Sequence, residues 1–205
     1  MSGASQRALE RLLERRNTPG EDRQAIDEAI RERFEEEWTI VFTDLVGFSK
    51  TTRDFGIVHF LGIIYQKGVL CRPIVDEHGG LILKEEADSW IVIFRKPETA
   101  LKAIIACQHA CQAYNEGARP EDKVELCVGI GFGPTLKIGD DDVWGREVNY
   151  ASKLGEDIAR ADEILLTEEA HRAIGDKVPG VTFEEDHCSF GPLELPYYRV
   201  GYDRK

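Results

Sequence analysis

The chain has 205 residues, 42% of them hydrophobic, with a formal net charge of −12 at pH 7. That length and apolar content suit one domain with a real core and an appendage. The negative charge argues against a nucleic-acid groove, which needs a basic face, but not against a nucleotide site, where bound cations screen local acids.

The longest apolar runs, such as residues 60–65, fall far short of the roughly 20 residues of a membrane span. The N-terminus has no apolar leader, and the five cysteines are odd in number, so a reducing cytoplasm is the expected location. Cys107 and Cys111 lie four apart with His109 between them. They read as small buried thiols on a helix face rather than as a metal pair.

Residues 1–37 form a charge-rich helical extension. A short amphipathic helix around residues 8–13 stops at the turn signal of residues 17–20. A second helix is predicted over residues 21–36, where Ile26, Ile30 and Phe34 recur every four residues. This segment docks on the domain, pairs with a second copy or relays a signal.

Residues 38–205 form the main domain of the chain. It opens on a strand beginning at Thr39, whose β-branched and aromatic residues end in Asp44 followed by a turn at Gly47. Ser49 reads as the cap of a helix over residues 51–76, with Val58, Leu61, Ile64 and Tyr65 on one side. The glycines at 79 and 80 end it. Two strands, residues 81–84 and 90–94, make a hairpin through the link of residues 85–89. Pro97 opens a helix reaching Asn115, with Ala100, Ala103, Ile104, Cys107 and Cys111 inward. A strand follows over residues 124–130, then a tight hairpin among Gly131, Gly133 and Gly139, a helix over 147–161, a strand at 164–166, a short helix at 168–174, and strands at 181–190 and 197–202. The order strand–helix–strand–strand–helix–strand is that of an α+β, ferredoxin-like split βαβ unit, extended by C-terminal strands. Its antiparallel sheet carries helices on one face, leaving the other to the tail, the N-terminal helices or another subunit.

That topology lays the first strand beside the central hairpin, so Asp44 and Asp88 can approach. Two carboxylates beside a triphosphate are what a two-metal phosphoryl site needs. Taken alone, Asp44 is more often a loop or cap residue and Asp88 more often a hairpin-turn acid. Lys84 enters the same turn and can donate to a base or a phosphate. Residues 142–153 are dense in polar groups, and Asn149 and Lys153, four apart, share a helix face able to orient a ribose and stabilise phosphate charge.

Four segments in order, residues 42–49, 84–88, 128–133 and 142–153, resemble the class III nucleotidyl cyclase catalytic domain, the family of adenylate and guanylate cyclases, over about residues 38–202. The resemblance implies that Asp44 and Asp88, with the Leu45 carbonyl, hold two Mg²⁺ or Mn²⁺ ions. It implies that the backbone of Val46, Gly47, Phe48 and Ser49 receives phosphate oxygens. Lys84 and Asp142 fall where members read the purine, and a Lys–Asp pair is the adenine-type combination. Asn149 would orient the ribose, and Lys153 stands where most members have a transition-state arginine. The implied assembly is a homodimer with shared active sites acting on a nucleoside triphosphate, ATP favoured, to give 3′,5′-cyclic AMP and pyrophosphate.

The chain also departs from the family. Lys153 lacks the planar fork of arginine. Ala87 sits where glycine is usual. Pro134 follows Gly133 where many members have a phosphate-binding arginine, with Lys137 a candidate substitute. The connection from Gly133 to Asp142 is shorter than the usual dimerisation arm, and the tail segment 188–192 lacks the lysine that often binds the triphosphate. Two other functions therefore stay open: a cyclase-like module that binds nucleotide or dimerises to regulate a partner, and a cyclase for GTP or a pyrimidine nucleotide.

Overall fold

The computed structural model describes residues 2–140, 142–191 and 193–203. Two helices, α1 (Ser2–Arg16) and α2 (Arg23–Phe34), precede the long strand β1 (Glu35–Leu45). Then come α3 (Phe48–Phe55), α4 (Ile57–Glu77), the strands β2 (Leu81–Glu86) and β3 (Ser89–Phe94), and α5 (Pro97–Asn115). The second half runs β4 (Leu126–Ile138), β5 (Asp142–Trp144), α6 (Arg146–Lys153), β6 (Glu163–Thr167), α7 (Glu168–Ile174), β7 (Thr182–Phe190) and β8 (Leu193–Gly201).

The sheet order is β2-β3-β1-β4-β6-β8-β7, with β5 hydrogen-bonded to β4. The first four strands in that order are the expected split βαβ unit, with β1 antiparallel to β3 on one side and to β4 on the other. The β4–β6 pair is parallel and carries the C-terminal extension. No helix among the described residues is long and apolar enough to cross a membrane.

Alternation along β1 sorts its side chains between two cores. Val41 and Leu45 join the larger core with α4, α5 and α7. Trp38, Ile40 and Phe42 point to the opposite face and pack with Ala151 and Val148 of α6. The second face is thus covered in part by α6, a cover that the sequence left to the tail, the N-terminal helices or another subunit. A glycine ladder makes this possible. A Cβ added at Gly129 would lie 2.0 Å from the Ala151 carbonyl oxygen, and one at Gly131 would lie 2.6 Å from that of Glu147. Gly129 and Gly131 therefore let the backbone of α6 rest almost directly on β4.

Several boundaries move for local reasons. The helix expected over residues 51–76 starts at Phe48 and breaks at Gly56, whose φ of 87° suits glycine. Gly47, in the left-handed region, occupies the N-cap without a side-chain bond, so Ser49 lies inside the first turn rather than capping it. Val58, Leu61 and Tyr65 do share one side of α4, but it is the solvent side; Phe60, Ile63, Lys67, Cys71 and Val75 are buried instead. Helix α2 ends at Phe34 because Glu35 to Glu37 already pair with Leu136 to Pro134 of β4. Its Ile26, Ile30 and Phe34 pack on Ile138, so α2 docks on the outer end of β4. The long helix expected over residues 147–161 is α6 followed by a π-turn at Leu154–Ile158. Gly155 lies in that turn, where an added Cβ would come within 3.0 Å of the Phe42 carbonyl oxygen and of the Gly129 amide nitrogen. Strand β8 starts at Leu193 because β7 pairs with it from Phe190↔Leu193 onward.

Gly129→Ala should lower unfolding free energy by about 3 kcal/mol, or prevent folding, by forcing α6 off the sheet. Gly62→Ala, on an α4 site with nothing within 4 Å, should be neutral or stabilising by up to about 1 kcal/mol. Urea denaturation of the two variants checks the pair.

Candidate active site

Residue Asp44 is the next-to-last residue of β1, and its pairing partner on β4 is Cys127. On the other side, Thr43 pairs with Trp90 of β3, which sets the β2–β3 turn beside Asp44. Ser89 Oγ donates to Asp44 Oδ1 at 2.8 Å. Asp88, one residue earlier, is half-buried. Burial, and then the Asp44 charge and its hydrogen bond, hold the Asp88 carboxyl above its usual range. The two carboxylates expected to meet do meet. A like charge beside a partly buried carboxyl disfavours its ionised form.

Ala87, the residue before Asp88, has φ 52°. The position wants glycine, and alanine there costs about 1 kcal/mol. The turn is held from beneath by Lys67 of α4, whose Nζ donates to the Asp88 main-chain carbonyl at 2.6 Å.

The loop after β1 is organised by Gly47. The first intrahelical bond of α3 runs from the Thr51 amide to the Gly47 carbonyl at 2.8 Å. The amides of Phe48 and Ser49 precede it and face outward along the helix axis, as in any helix start. The Val46 amide donates to the Glu125 carbonyl at 3.1 Å, which takes it away from a ligand. Phe48 stacks edge-on against Phe60 of α4, ring centroids 4.9 Å apart, and anchors the loop.

Lys84 and Asp142, 58 residues apart in sequence, form an ion pair of 3.0 Å. Asp142 Oδ1 also accepts from the Val143 amide at 2.8 Å. Lys84, Asp88 and Asn149 line one groove of about 370 Å³ together with Phe42, Ser152 and Glu156. Burial, then the charges of Asp44, Asp157 and Asp88, push the Glu156 carboxyl up, against a 3.1 Å hydrogen bond from Ser152 Oγ. Lys153 does not join this groove. Its Nζ pairs with Asp157 at 2.6 Å and lines a separate pocket beside Arg146, Tyr150 and Cys188. Lys137 is also engaged, with Asp140 at 2.8 Å and with the Gly139 carbonyl. Pro192, at the end of the tail segment without a triphosphate lysine, lies outside the described residues.

The donor set at the tip of β1 is oxygen only: two carboxylates and the nearby Leu45 main chain. That suits a hard cation whose shell is completed by substrate phosphates and water. Among the described residues no cluster of three or more His, Cys, Asp or Glu could hold a metal by itself. Cys107 and Cys111 are buried thiols, as expected, while His109 turns away and its Nε2 lies 2.7 Å from the Asp203 carbonyl. Ser89, Glu156 and Lys67 were not singled out from sequence. Ser89 was visible only as part of a hairpin link, and a lysine within an apolar helix pattern carries no signal of what its tip reaches.

The sequence profile of the adenylate and guanylate cyclase catalytic domain matches residues 30–188. The chain belongs to this cyclase family. It is 28% identical to an adenylate cyclase of Mycobacterium tuberculosis (strain ATCC 25618 / H37Rv) over 155 residues, 69% of this chain and 34% of that protein. It is 25% identical to the serine/threonine-protein kinase pkn2 of Myxococcus xanthus over 135 residues, 66% of this chain and 16% of the kinase. The chain thus spans a third or less of the length of these relatives. The fold matches an adenylate/guanylate cyclase/hydrolase structure from Silicibacter pomeroyi with a TM-score of 0.73 at 20% identity, covering 82% of this chain and 98% of that one.

Within this cyclase domain, Ala87→Gly should relieve the backbone strain at the β2–β3 turn. The expected gain is about 1 kcal/mol, read as a rise of about 3 °C in melting temperature. An unchanged midpoint would mean the turn relaxes at another residue.

Proposed function

We propose that this cyclase domain converts ATP to 3′,5′-cyclic AMP and pyrophosphate. The ribose 3′-oxygen forms the new bond to the α-phosphorus, the α–β phosphoanhydride bond breaks, and pyrophosphate leaves with the electron pair. The observation that carries the reading is the meeting of Asp44 and Asp88 at the tip of β1, with the Asp88 carboxyl held protonated more easily than usual. Asp44, Asp88 and the Leu45 carbonyl would hold two Mg²⁺ or Mn²⁺ ions, which lower the pKa of the attacking hydroxyl and neutralise the leaving pyrophosphate.

The remaining roles fall to the chain's own groups. The amides of Gly47, Phe48 and Ser49 receive phosphate oxygens at the start of α3. Lys84 donates to a ring nitrogen of adenine and Asp142 accepts from its exocyclic amine. In the free protein the two neutralise each other at 3.0 Å, so adenine replaces one exposed ion pair with two directed hydrogen bonds. Asn149 orients the ribose, and Lys153, once released from Asp157, stabilises charge developing on the α-phosphoryl group. The metal acids of one copy work with the base and ribose groups of a second, giving a homodimer with two equivalent sites.

A second reading has its own support. Lys153 and Lys137 are both tied to acids of the same chain, so the grip on the triphosphate is thin. That favours a cyclase-like module that binds nucleotide and regulates a partner.

Asp44→Ala should abolish cyclic product while leaving the melting temperature within a few degrees, since Asp44 is half-buried and its one neutral partner is Ser89. Product analysis by mass spectrometry, with ATP, GTP, CTP and UTP in Mg²⁺ and in Mn²⁺, checks the reaction and the base together. Nucleotide binding without any cyclic product would select the regulatory reading. Lys153→Arg should raise kcat about tenfold, because a guanidinium can pair with Asp157 and phosphate oxygens at once. An unchanged kcat would remove Lys153 from the transition state.

A further inference from the structure

Lys67 is a fully buried lysine with no carboxylate in ion-pair contact among the described residues. Its relative exposure is 0%. It sits on the core side of α4, between Ile63 and Cys71. Burial pushes its ammonium down to about 8, opposed by the nearby Cys71, Asp44 and Asp88. Its Nζ lies 4.6 Å from the centroid of the Trp90 ring. The one hydrogen bond it makes to another element goes to the main-chain carbonyl of Asp88, at 2.6 Å. Thr43, Cys71, Cys107 and Trp90 wall the small cavity around it.

A methionine or leucine would fill this place without the desolvation cost of an ammonium. The lysine is therefore retained against its own burial, and what it reaches is the turn bearing a metal acid. That turn needs holding. Ala87 is strained at φ 52°, and Asp88 stands against the like charge of Asp44. Without a donor beneath it, the turn can relax by rotating the 88–89 peptide, and this lets the Asp88 carboxylate move away from Asp44.

We propose that Lys67 is a positioning residue of the cyclase site. It ties α4 to the Asp88 carbonyl and so fixes the direction of the Asp88 carboxylate toward the divalent cation. The inference rests on the reading of Asp44 and Asp88 as metal acids. The ammonium has a second effect of opposite sign, since a positive charge this close weakens cation binding. Two neutral variants of similar volume remove that effect from the comparison: Lys67→Gln keeps a donor, and Lys67→Met does not.

Mn²⁺ binding to the full chain without nucleotide, read from the free-ion electron paramagnetic resonance signal, reports the site apart from catalysis. Lys67→Gln should bind Mn²⁺ about tenfold more tightly than Lys67→Met, and turn over ATP with a kcat higher by a similar factor, at melting temperatures within a few degrees of each other. Equal Mn²⁺ affinities in the two folded variants overturn the proposal. So does a difference confined to melting temperature, which is what a purely structural lysine gives. Should neither variant fold, the wild-type protein carries the test: the slowly exchanging ¹⁵Nζ signal of the buried lysine should shift with Mg²⁺ at the concentration that fills the site, and a signal that stays put overturns the proposal. Asp44→Ala separates the two failures. If it binds Mn²⁺ as the wild type does, the metal-acid reading falls and the Lys67 role with it. If Mn²⁺ binding depends on Asp44 and on the donor at residue 67 but no nucleotide is cyclised, the positioning role stands and the cyclase reading falls.

Discussion

Two like charges are held within hydrogen-bond reach at the tip of β1 and β3, and much of the surrounding structure exists to keep them there. Left to themselves, Asp44 and Asp88 would separate, since a pair of ionised carboxylates in partial burial repel by several kcal/mol at the dielectric of a protein surface. The sheet prevents it. β1 pairs with β4 along its whole length and with β3 over Thr39 to Thr43, so Asp44 has no freedom to slide, and Ser89 and the Lys67-bound carbonyl secure the opposite wall. The residual repulsion appears as a raised Asp88 carboxyl.

The other side of the groove depends on a different constraint, the absence of side chains. Gly129 and Gly131 bring α6 onto the sheet at backbone contact. Buried Glu147, which accepts from Thr167 Oγ1 at 2.7 Å, then fixes the rotation of the helix. With both height and rotation set, Asn149 faces the groove and Ala151 the sheet. The same rotation carries Lys153 around to the neighbouring pocket and to Asp157. A four-residue spacing placed Asn149 and Lys153 on one face, which holds for a straight helix. The π-turn that begins at Leu154 follows Lys153 directly and presents Asp157 to it. The separation therefore comes from the Lys153 side chain being drawn to Asp157, a pairing that hydrophobic periodicity does not encode.

What was legible in the sequence follows the same division. The split βαβ order came from alternation and turn residues, which are local, and so did the inward set Ala100, Ala103, Ile104, Cys107 and Cys111 on α5. The approach of Asp44 to Asp88 and of Lys84 to Asp142 followed from topology and family likeness together. The apolar side chains of α4 misled, because Val58, Leu61 and Tyr65 are as apolar as the residues that are buried. The burial of Lys67 had no local sign either: a lysine reads as solvated unless its distant acceptor, here a carbonyl 21 residues on, is already known. Sequence pattern carries the period of an element well and its rotational phase poorly when both faces are apolar.

Within one chain three lysines are committed to nearby acids: Lys84 to Asp142, Lys153 to Asp157, Lys137 to Asp140. In a chain with a net charge of −12, a triphosphate arriving at such a surface meets repulsion first. Surface ion pairs of this kind are worth at most about 1 kcal/mol each, so a nucleotide with its own divalent ions can break them at small cost, while a free anion cannot. The ion pairs thus act as a filter. They leave the positive groups available to a ligand that brings its own counter-charge.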